Sequence, residues 1–351
     1  MRSNYKRLGD YIKEVNIRNK ENIEENLLGV SVTKEFIPSV ANTNGTDWKK
    51  YKIVKYGQFC YIPDTSRRGD KIGIALLLDR EKALVSQAYT VFEIIDHNLL
   101  LPEYLILWFK RPEFDRYARF MSHGSVREIF DWEKMCNVML PIPDIKKQSE
   151  LVKVIKLVNN MKISLSKLND NLVNILKSFT EILLKDNQEE VNILDIFNVE
   201  YGKSKISKKK KELYPVYGAG GITGYDNKYD YQHSQIIIGC RGTCGEITFT
   251  VEKSNITSNS LVFIPKDNNF SKAYYYSFLT LFNFKETITG SVQQQITIQS
   301  LEDRIMLLPR KINKNEEKLI EKVVEYLSLT ANIVNHLEEL QVLVNESITQ
   351  R

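Results

Sequence analysis

Apolar positions along this chain fall into two textures, and each texture occurs twice. The first is irregular, with short alternating or apolar runs at Gly57 to Ile62, Ile72 to Leu78, Ala88 to Ile95, Gln235 to Ile238 and Ser260 to Ile264. Runs of this length, separated by Gly, Asn, Asp and Pro, predict short strands joined by turns. Pro102 to Lys110 and Lys272 to Phe282 carry helical patterns among them. Each irregular region therefore predicts a mixed α/β globule.

The second texture is a long stripe. Leu151, Val154, Val158, Met161, Leu165, Leu168, Leu172, Ile175, Phe179 and Ile182 follow one another in steps of three and four. No Gly or Pro interrupts Ile145 to Lys185. Such steps are the heptad signature of a helix packed along one seam, here about 60 Å long at 1.5 Å rise per residue. A second stripe runs through Ile320, Val323, Leu327, Val334, Leu337, Val344 and Ile348, with Thr330 and Gln341 as polar members. A lone stripe fits an ordinary bundle helix, but two at matching places predict that they pair with each other.

The matching places reflect an internal duplication. Gly124-Ser125-Val126-Arg127 followed by Leu140-Pro141 is answered by Gly290-Ser291-Val292-Gln293 followed by Leu308-Pro309. Arg68-Gly69 before Ile72-Gly73 answers to Arg241-Gly242 before Gly245-Glu246-Ile247, and Val91-Phe92 to Val262-Phe263. Leu8 to Ile12 is echoed by Leu194 to Phe197. These markers keep one order and an offset of roughly 170 positions, the sign of a repeated unit. The second helix can bury its stripe only by folding back antiparallel along the first. The expected architecture is α+β: two similar mixed α/β domains, at 1–143 and 187–310, held apart by coiled-coil helices at 144–186 and 311–351. An approximate twofold axis would relate the halves, matching the dyad of duplex DNA.

Composition narrows the function. Apolar content of 42% and charged content of 26% belong to a folded chain, not a disordered one. No run approaches the roughly 18 apolar residues of a membrane span, and Met1 to Asp10 is too polar for a signal peptide. Cys60, Cys136, Cys240 and Cys244 are scattered, which fits a reducing cytoplasm better than a disulfide framework. The net charge of +5 is modest, but its distribution is uneven. Lys203, Lys205, Lys208, Lys209, Lys210 and Lys211 lie close together, and Arg67, Arg68 and Lys71 form a smaller cluster. Such clusters are either solvated loops or phosphate contacts.

Catalytic constellations are missing from the sequence. There is no Pro-Pro, hence no (Asp/Asn/Ser)-Pro-Pro-aromatic motif of an amino-methyltransferase. Gly218 to Gly224 is a poor dinucleotide loop because its third glycine is one position late. Gly202-Lys203-Ser204 mimics the end of a phosphate-binding loop, but Phe197 stands where the first glycine belongs. His97, His123, His233 and His336 share no spacing, and Cys240 with Cys244 lacks the second ligand pair of a structural zinc site. Neither repeat places a Glu-x-Lys after Pro-Asp as a metal-dependent nuclease requires. No metal or cofactor of the chain's own is expected.

The repeats do carry polar loop chemistry. Gln293, Gln294 and Gln295 follow Gly290-Ser291-Val292, and Arg127 occupies the equivalent place in the first half. Arg can bridge guanine O6 and N7, and Gln can pair with adenine N6 and N7; the plainer alternative is that these residues cap turns. Arg241 joins them as a candidate DNA contact.

Leu140-Pro141-Ile142-Pro143-Asp144-Ile145-Lys146-Lys147-Gln148, opening the first long helix, resembles the Leu-Pro-x-Pro-Pro-x-x-Glu-Gln signature of type I restriction–modification specificity subunits. Tyr214 to Tyr225 is similar to a recurrent stretch of their target-recognition domains. The resemblance spans the whole chain, with Asp144 and Lys147 departing from the signature and Leu308 to Ile312 a degenerate second copy. It implies that each domain reads half of a split, asymmetric DNA target while the helices act as a ruler. It further implies that two modification subunits, carrying S-adenosylmethionine and DNA adenine methyltransferase activity, dock along the helices and that restriction endonuclease subunits join that core. The chain itself would be non-catalytic. Competing expectations are a specificity protein or decoy of a related phage-defence system, and a coiled-coil scaffold with no DNA role.

Overall fold

The computed structural model describes residues 5–22, 26–40, 45–64, 71–122, 128–185, 187–205, 214–291 and 293–348. The chain divides into two compact units, one of Met1–Asn159 with Glu339–Arg351 and one of Asn160–Glu338. The division runs through both long helices instead of at their ends. Each helix half packs on the globule beside it, so a helix belongs to both units.

Unit 1 begins with β1 (Tyr5–Arg7), β2 (Ile12–Val15), β3 (Leu27–Val30), β4 (Phe36–Pro38) and β5 (Lys52–Lys55). β6 (Phe59–Tyr61), β7 (Ile74–Leu76), β8 (Lys82–Val85) and β9 (Thr90–Ile94) follow. Then come α1 (Pro102–Phe109), α2 (Pro112–Met121), α3 (Trp132–Cys136), β10 (Met139–Pro141) and α4 (Ile145–Leu184). Its strands form a ribbon β1-β10 and sheets in the orders β2-β9-β6-β7 and β4-β3-β8-β5. α1 and α2 each start on a proline, whose fixed φ and missing N–H suit a first helical position. Asp131 caps α3 by accepting from the Lys134 N–H. The four-stranded sheet β2-β9-β6-β7 packs on α1, with Phe59 and Phe92 stacked at 4.8 Å and Phe109 edge-on to both.

In unit 2 the order after α4 is β11 (Gln188–Asn192), α5 (Ile193–Ile196), β12 (Phe197–Tyr201), β13 (Tyr214–Gly218) and β14 (Gly221–Asp226). β15 (Ile236–Gly239), β16 (Ile247–Phe249), β17 (Asn255–Ile256), β18 (Ser260–Pro265), α6 (Lys272–Leu279), β19 (Ile305–Pro309) and α7 (Lys314–Ser347) complete it. The strands form a ribbon β11-β19 and sheets ordered β12-β18-β15-β16 and β14-β13-β17. Ser271 caps α6 through the Tyr274 N–H. Each strand has its counterpart in unit 1, down to the parallel pairing of β13 with β17, which repeats that of β3 with β8. Parallel pairing between strands so far apart in sequence is an uncommon choice, and its recurrence marks one fold used twice. Unit 1 adds β5 and the full helix α2, which have no regular counterpart among the described residues of unit 2.

α7 buries or half-buries the whole of its expected seam, whereas α4 departs from its own. Val154, Met161, Leu168 and Ile175 are 39%, 50%, 47% and 56% exposed, and Ile182 is exposed as well. The buried line of α4 keeps Val158 of the expected stripe and otherwise runs beside it, through Gln148, Val152, Ile155, Leu176, Thr180 and Leu183. Leu151, Leu165, Leu172 and Phe179 flank it half-buried. On α7, Ile320, Val324, Leu327, Thr330 and Leu337 are buried, while Val323 and Val334 are half-buried. α4 carries two apolar stripes; reading for unbroken hydrophobicity selects the more apolar one, whereas the packed one tolerates polar members that find partners. Gln148 shows how: its amide donates to the Leu99 and Pro143 carbonyls at 2.9 and 2.8 Å and accepts from the Leu101 N–H at 2.9 Å. Within unit 2, Thr330 Oγ1 donates to Asn169 Oδ1 at 3.0 Å and Lys162 pairs with Glu338 at 3.2 Å. Within unit 1, Gln341 Nε2 donates to Asn159 Oδ1 at 3.2 Å, and Ile348 joins the core that holds Val152. Among the described residues, no helix is long and apolar enough to cross a membrane.

Candidate nucleic-acid interface

Three turns of unit 2 meet at one place. The β13–β14 turn and the turn after β15 press together around glycine: a Cβ on Gly239 would lie 2.1 Å from the Thr243 carbonyl oxygen and 2.5 Å from that of Ala219. Only glycine admits two backbones that close. The third turn spans 289–295, closed by reciprocal Thr289–Gln295 backbone bonds of 2.8 and 2.9 Å. Gly290 within it has φ +88°, and a Cβ there would meet the Gln293 carbonyl at 2.4 Å. This turn is fastened to the second by the Arg241–Gln295 bridge and by the Ile296 N–H donating to the Cys240 carbonyl at 2.9 Å. Cys244 Sγ donates to the Gln294 carbonyl at 3.3 Å.

Gln293, Gln294 and Arg241 are thus brought together and exposed, while Gln295 is half-buried. The Arg241 guanidinium sits 5.7 Å from the Tyr201 ring, which holds the cation at the surface without neutralising it. Tyr201 leads directly into the segment bearing Lys203 and Lys205, both exposed. Lys203 is committed to Glu200 at 2.8 Å, a solvent-screened pair that a phosphate could displace. Thr243 and Ser291 are exposed on the same turns and were not picked out from sequence. Their signal lay in Gly239, which stands at a close backbone approach, and in Gly242 and Gly245, whose φ of +82° and +84° few other residues adopt.

Unit 1 repeats the fastening. Asp64 bridges Ile129, and the Phe130 N–H donates to the Pro63 carbonyl at 2.8 Å, as Ile296 does to Cys240. Arg67, Arg68 and Arg127 lie outside the described residues, as do Lys208, Lys209, Lys210 and Lys211. Lys71 is exposed beside a firm anchor: buried Lys34 pairs with Asp115 and donates to the Ile72 carbonyl at 2.6 Å. Asp115 also accepts from the Ile72 N–H at 3.1 Å. Burial pushes the Lys34 amine below its ordinary range, against the pull of Asp115.

Burial pushes the Cys240 thiol up, away from a reactive thiolate. Among the described residues no group of three His, Cys, Asp or Glu side chains is placed to hold a metal ion. The turns bring exposed Arg241, Thr243, Ser291, Gln293 and Gln294 together at one edge of unit 2.

Residues 185–339 match the family described as "Type I restriction modification DNA specificity domain". Among solved structures, the type I restriction–modification S subunit from M. genitalium aligns over 99% of this chain and 96% of its own, at 14% identity and TM-score 0.61. That likeness is one of fold. The HsdS subunit from Thermoanaerobacter tengcongensis aligns over 98% of this chain and 94% of its own, at 15% identity, but superposes poorly, with a TM-score of 0.37. No curated protein matches the sequence.

Proposed function

We propose that this chain, a member of the type I restriction–modification specificity family through residues 185–339, reads a split, asymmetric duplex DNA target, one half with each unit. The observation that carries the reading is a duplicated frame whose equivalent loops differ in sequence. The same strand orders and the same two-point fastening recur in both units, while in sequence Arg127 of the first repeat corresponds to Gln293 of the second. A conserved scaffold with different base-edge donors suits two unlike half-sites. In this reading Lys203, Lys205 and Lys71, with Arg67, Arg68, Lys208, Lys209 and Lys210, meet phosphates. Arg241, Arg127 and Gln293 to Gln295 face base edges.

The long helices serve as antiparallel coiled-coil spacer and dock. Support for pairing comes from Asn169–Thr330, Lys162–Glu338 and Asn159–Gln341, whose numbers rise on one helix as they fall on the other. Support for docking comes from the second stripe. Met161, Leu168, Ile175 and Ile182 repeat at heptad spacing on α4, and Leu319, Tyr326, Ile333 and Leu340 do so on α7, all exposed. Apolar rows left open on both helices suit partner helices. Two modification subunits would occupy them, supply S-adenosylmethionine and methylate adenine, and restriction subunits would complete a cytoplasmic complex. The test is reconstitution with the modification subunit encoded beside this chain, followed by binding to duplex DNA over a salt series. A ternary complex whose affinity falls steeply with salt is expected. A chain that binds neither the subunit nor DNA overturns the reading.

A further inference from the structure

The edge that glycine closes in unit 2 is held in another way in unit 1. Strand register aligns the two repeats there. Tyr61 faces Ile74 on β7 as Ile238 faces Ile247 on β16. The next bonds, from the Ile62 N–H to the Gly73 carbonyl and from the Gly239 N–H to the Glu246 carbonyl, are both 2.9 Å. Ile62 thus stands where unit 2 has Gly239, and Ile72 where it has Gly245. In unit 2 the backbone bonding runs one step further, with the Gly245 N–H donating to the Gly239 carbonyl at 2.8 Å. In unit 1 side chains take over at this step. The Ile72 N–H donates to Asp115 Oδ1 at 3.1 Å, and the Ile72 carbonyl accepts from Lys34 Nζ at 2.6 Å. Lys34 Nζ also pairs with Asp115, which closes the three groups into a clamp.

Packing does not account for this clamp. Lys34 has φ +67°, a region that residues other than glycine rarely adopt, and its side chain is only 3% exposed. Burial pushes its amine below the ordinary range, and the Lys71 charge pushes the same way, against the pull of Asp115. An apolar pair of like size commonly stabilises such a site as well or better. What the polar pair supplies, and an apolar one cannot, is a grip on both backbone groups of Ile72. Its members come from separate elements: Lys34 from the β3–β4 turn, and Asp115 from α2. α2 has no regular counterpart among the described residues of unit 2. Helix and clamp therefore occur together, in the repeat where isoleucine replaces the closely packed glycine. Lys71, adjacent to the gripped residue, is exposed.

We propose that Lys34 and Asp115 are positioning residues: by gripping Ile72 they hold the exposed Lys71 in place to meet a DNA phosphate at the edge of unit 1. This rests on the function proposed above, in which Lys71 is a phosphate contact. Both residues act through Lys71 and not by touching DNA.

The test uses the full chain, reconstituted with the modification subunit encoded beside it, and a fluorescently labelled duplex bound across a salt series. Lys71→Ala is expected to flatten the salt slope by up to about one unit, the share of a single phosphate. Lys34→Met with Asp115→Leu makes an uncharged pair of similar bulk. It is expected to melt near wild type and to flatten the slope by the same amount as Lys71→Ala. All three changes together are expected to show no further loss. The clamp change combined with Lys203→Ala and Lys205→Ala in unit 2 is expected to add in full, as distant sites do. Should the double variant melt early, Asp115→Asn takes its place. It keeps the size and loses the charged hold on Ile72, so it flattens the slope except where Lys71 is already alanine. A clamp variant that melts near wild type and keeps the wild-type slope overturns the proposal. So does a triple variant whose losses add, because a pair that only stabilises the fold would not act through Lys71. An unchanged slope for Lys71→Ala overturns it as well, while leaving Lys203 and Lys205 to support the functional reading. A wild-type complex that binds duplex without salt dependence defeats that reading and the clamp with it.

Discussion

Leu176 and Leu168 lie on the same helix, two turns apart, and should respond to substitution in opposite ways. Leu176 is 1% exposed and packs in the unit 2 core with Ile320, Val324 and Leu327. Truncating a buried leucine to alanine removes its transfer energy and leaves a cavity, at a cost of about 2–5 kcal/mol. Leu168 is 47% exposed. Full burial of a leucine stabilises by about 1.5–3 kcal/mol, so a half-covered one has about 1 kcal/mol at stake. Leu168→Asp adds the lower helix propensity of Asp, a further ~0.5 kcal/mol. For a unit of this size, each kcal/mol shifts the melting temperature by about 2–4 °C. Leu176→Ala should therefore lower the unit 2 transition by about 4–20 °C, and Leu168→Asp by no more than about 6 °C. Thermal melts followed by circular dichroism read this contrast. Modification-subunit binding should show the reverse order, with Leu168→Asp folded but unable to assemble. Equal destabilisation by the two variants would refute the assignment of one stripe to the core and the other to a partner.

Three other outcomes follow from the tips and the chain's chemistry. Gly239→Ala forces a methyl against two backbone carbonyls; it should cost about 3 kcal/mol or more and blur only the half-site read by unit 2, checked by melting and by methylation mapping. Lys203→Ala with Lys205→Ala should weaken binding to all duplexes alike and flatten the salt slope by up to about one unit per lost contact, measured by fluorescence anisotropy across salt concentrations. The purified chain with S-adenosylmethionine should leave DNA unmethylated; stoichiometric methyl transfer in that assay counts against a non-catalytic role.

The duplication was legible in the sequence because it survives in punctuation. Leu140-Pro141 and Leu308-Pro309 end their strands and Gly290 closes a turn at φ +88°, places where backbone geometry limits substitution. The two mixed sheets per unit were legible only as a texture. Their order depends on pairings such as β3 with β8 and β13 with β17, which join residues distant in the chain. Both helices were legible as helices, and the packed face of α7 with them, but the packed face of α4 was not. Gln148 and Thr180 are polar yet buried, and Asn169 is half-buried where it accepts from Thr330 of the other helix. At the tip, Arg241 and Gln293 to Gln295 stood out by chemistry. Thr243 and Ser291 did not, because their role comes from glycines that let three turns meet.

The central claim is that the two repeats read different halves of one target. Arg127→Ala belongs to the first repeat and Gln294→Ala to the second. A bidentate contact to a base edge discriminates by about 1–3 kcal/mol, enough to make a position degenerate when it is lost. Methylated positions should be mapped genome-wide for the reconstituted complex carrying each variant. The account predicts that Arg127→Ala relaxes one half-site and Gln294→Ala the other, with the spacing between them unchanged. Both variants relaxing the same half-site, or neither altering the methylated sequence, would contradict it.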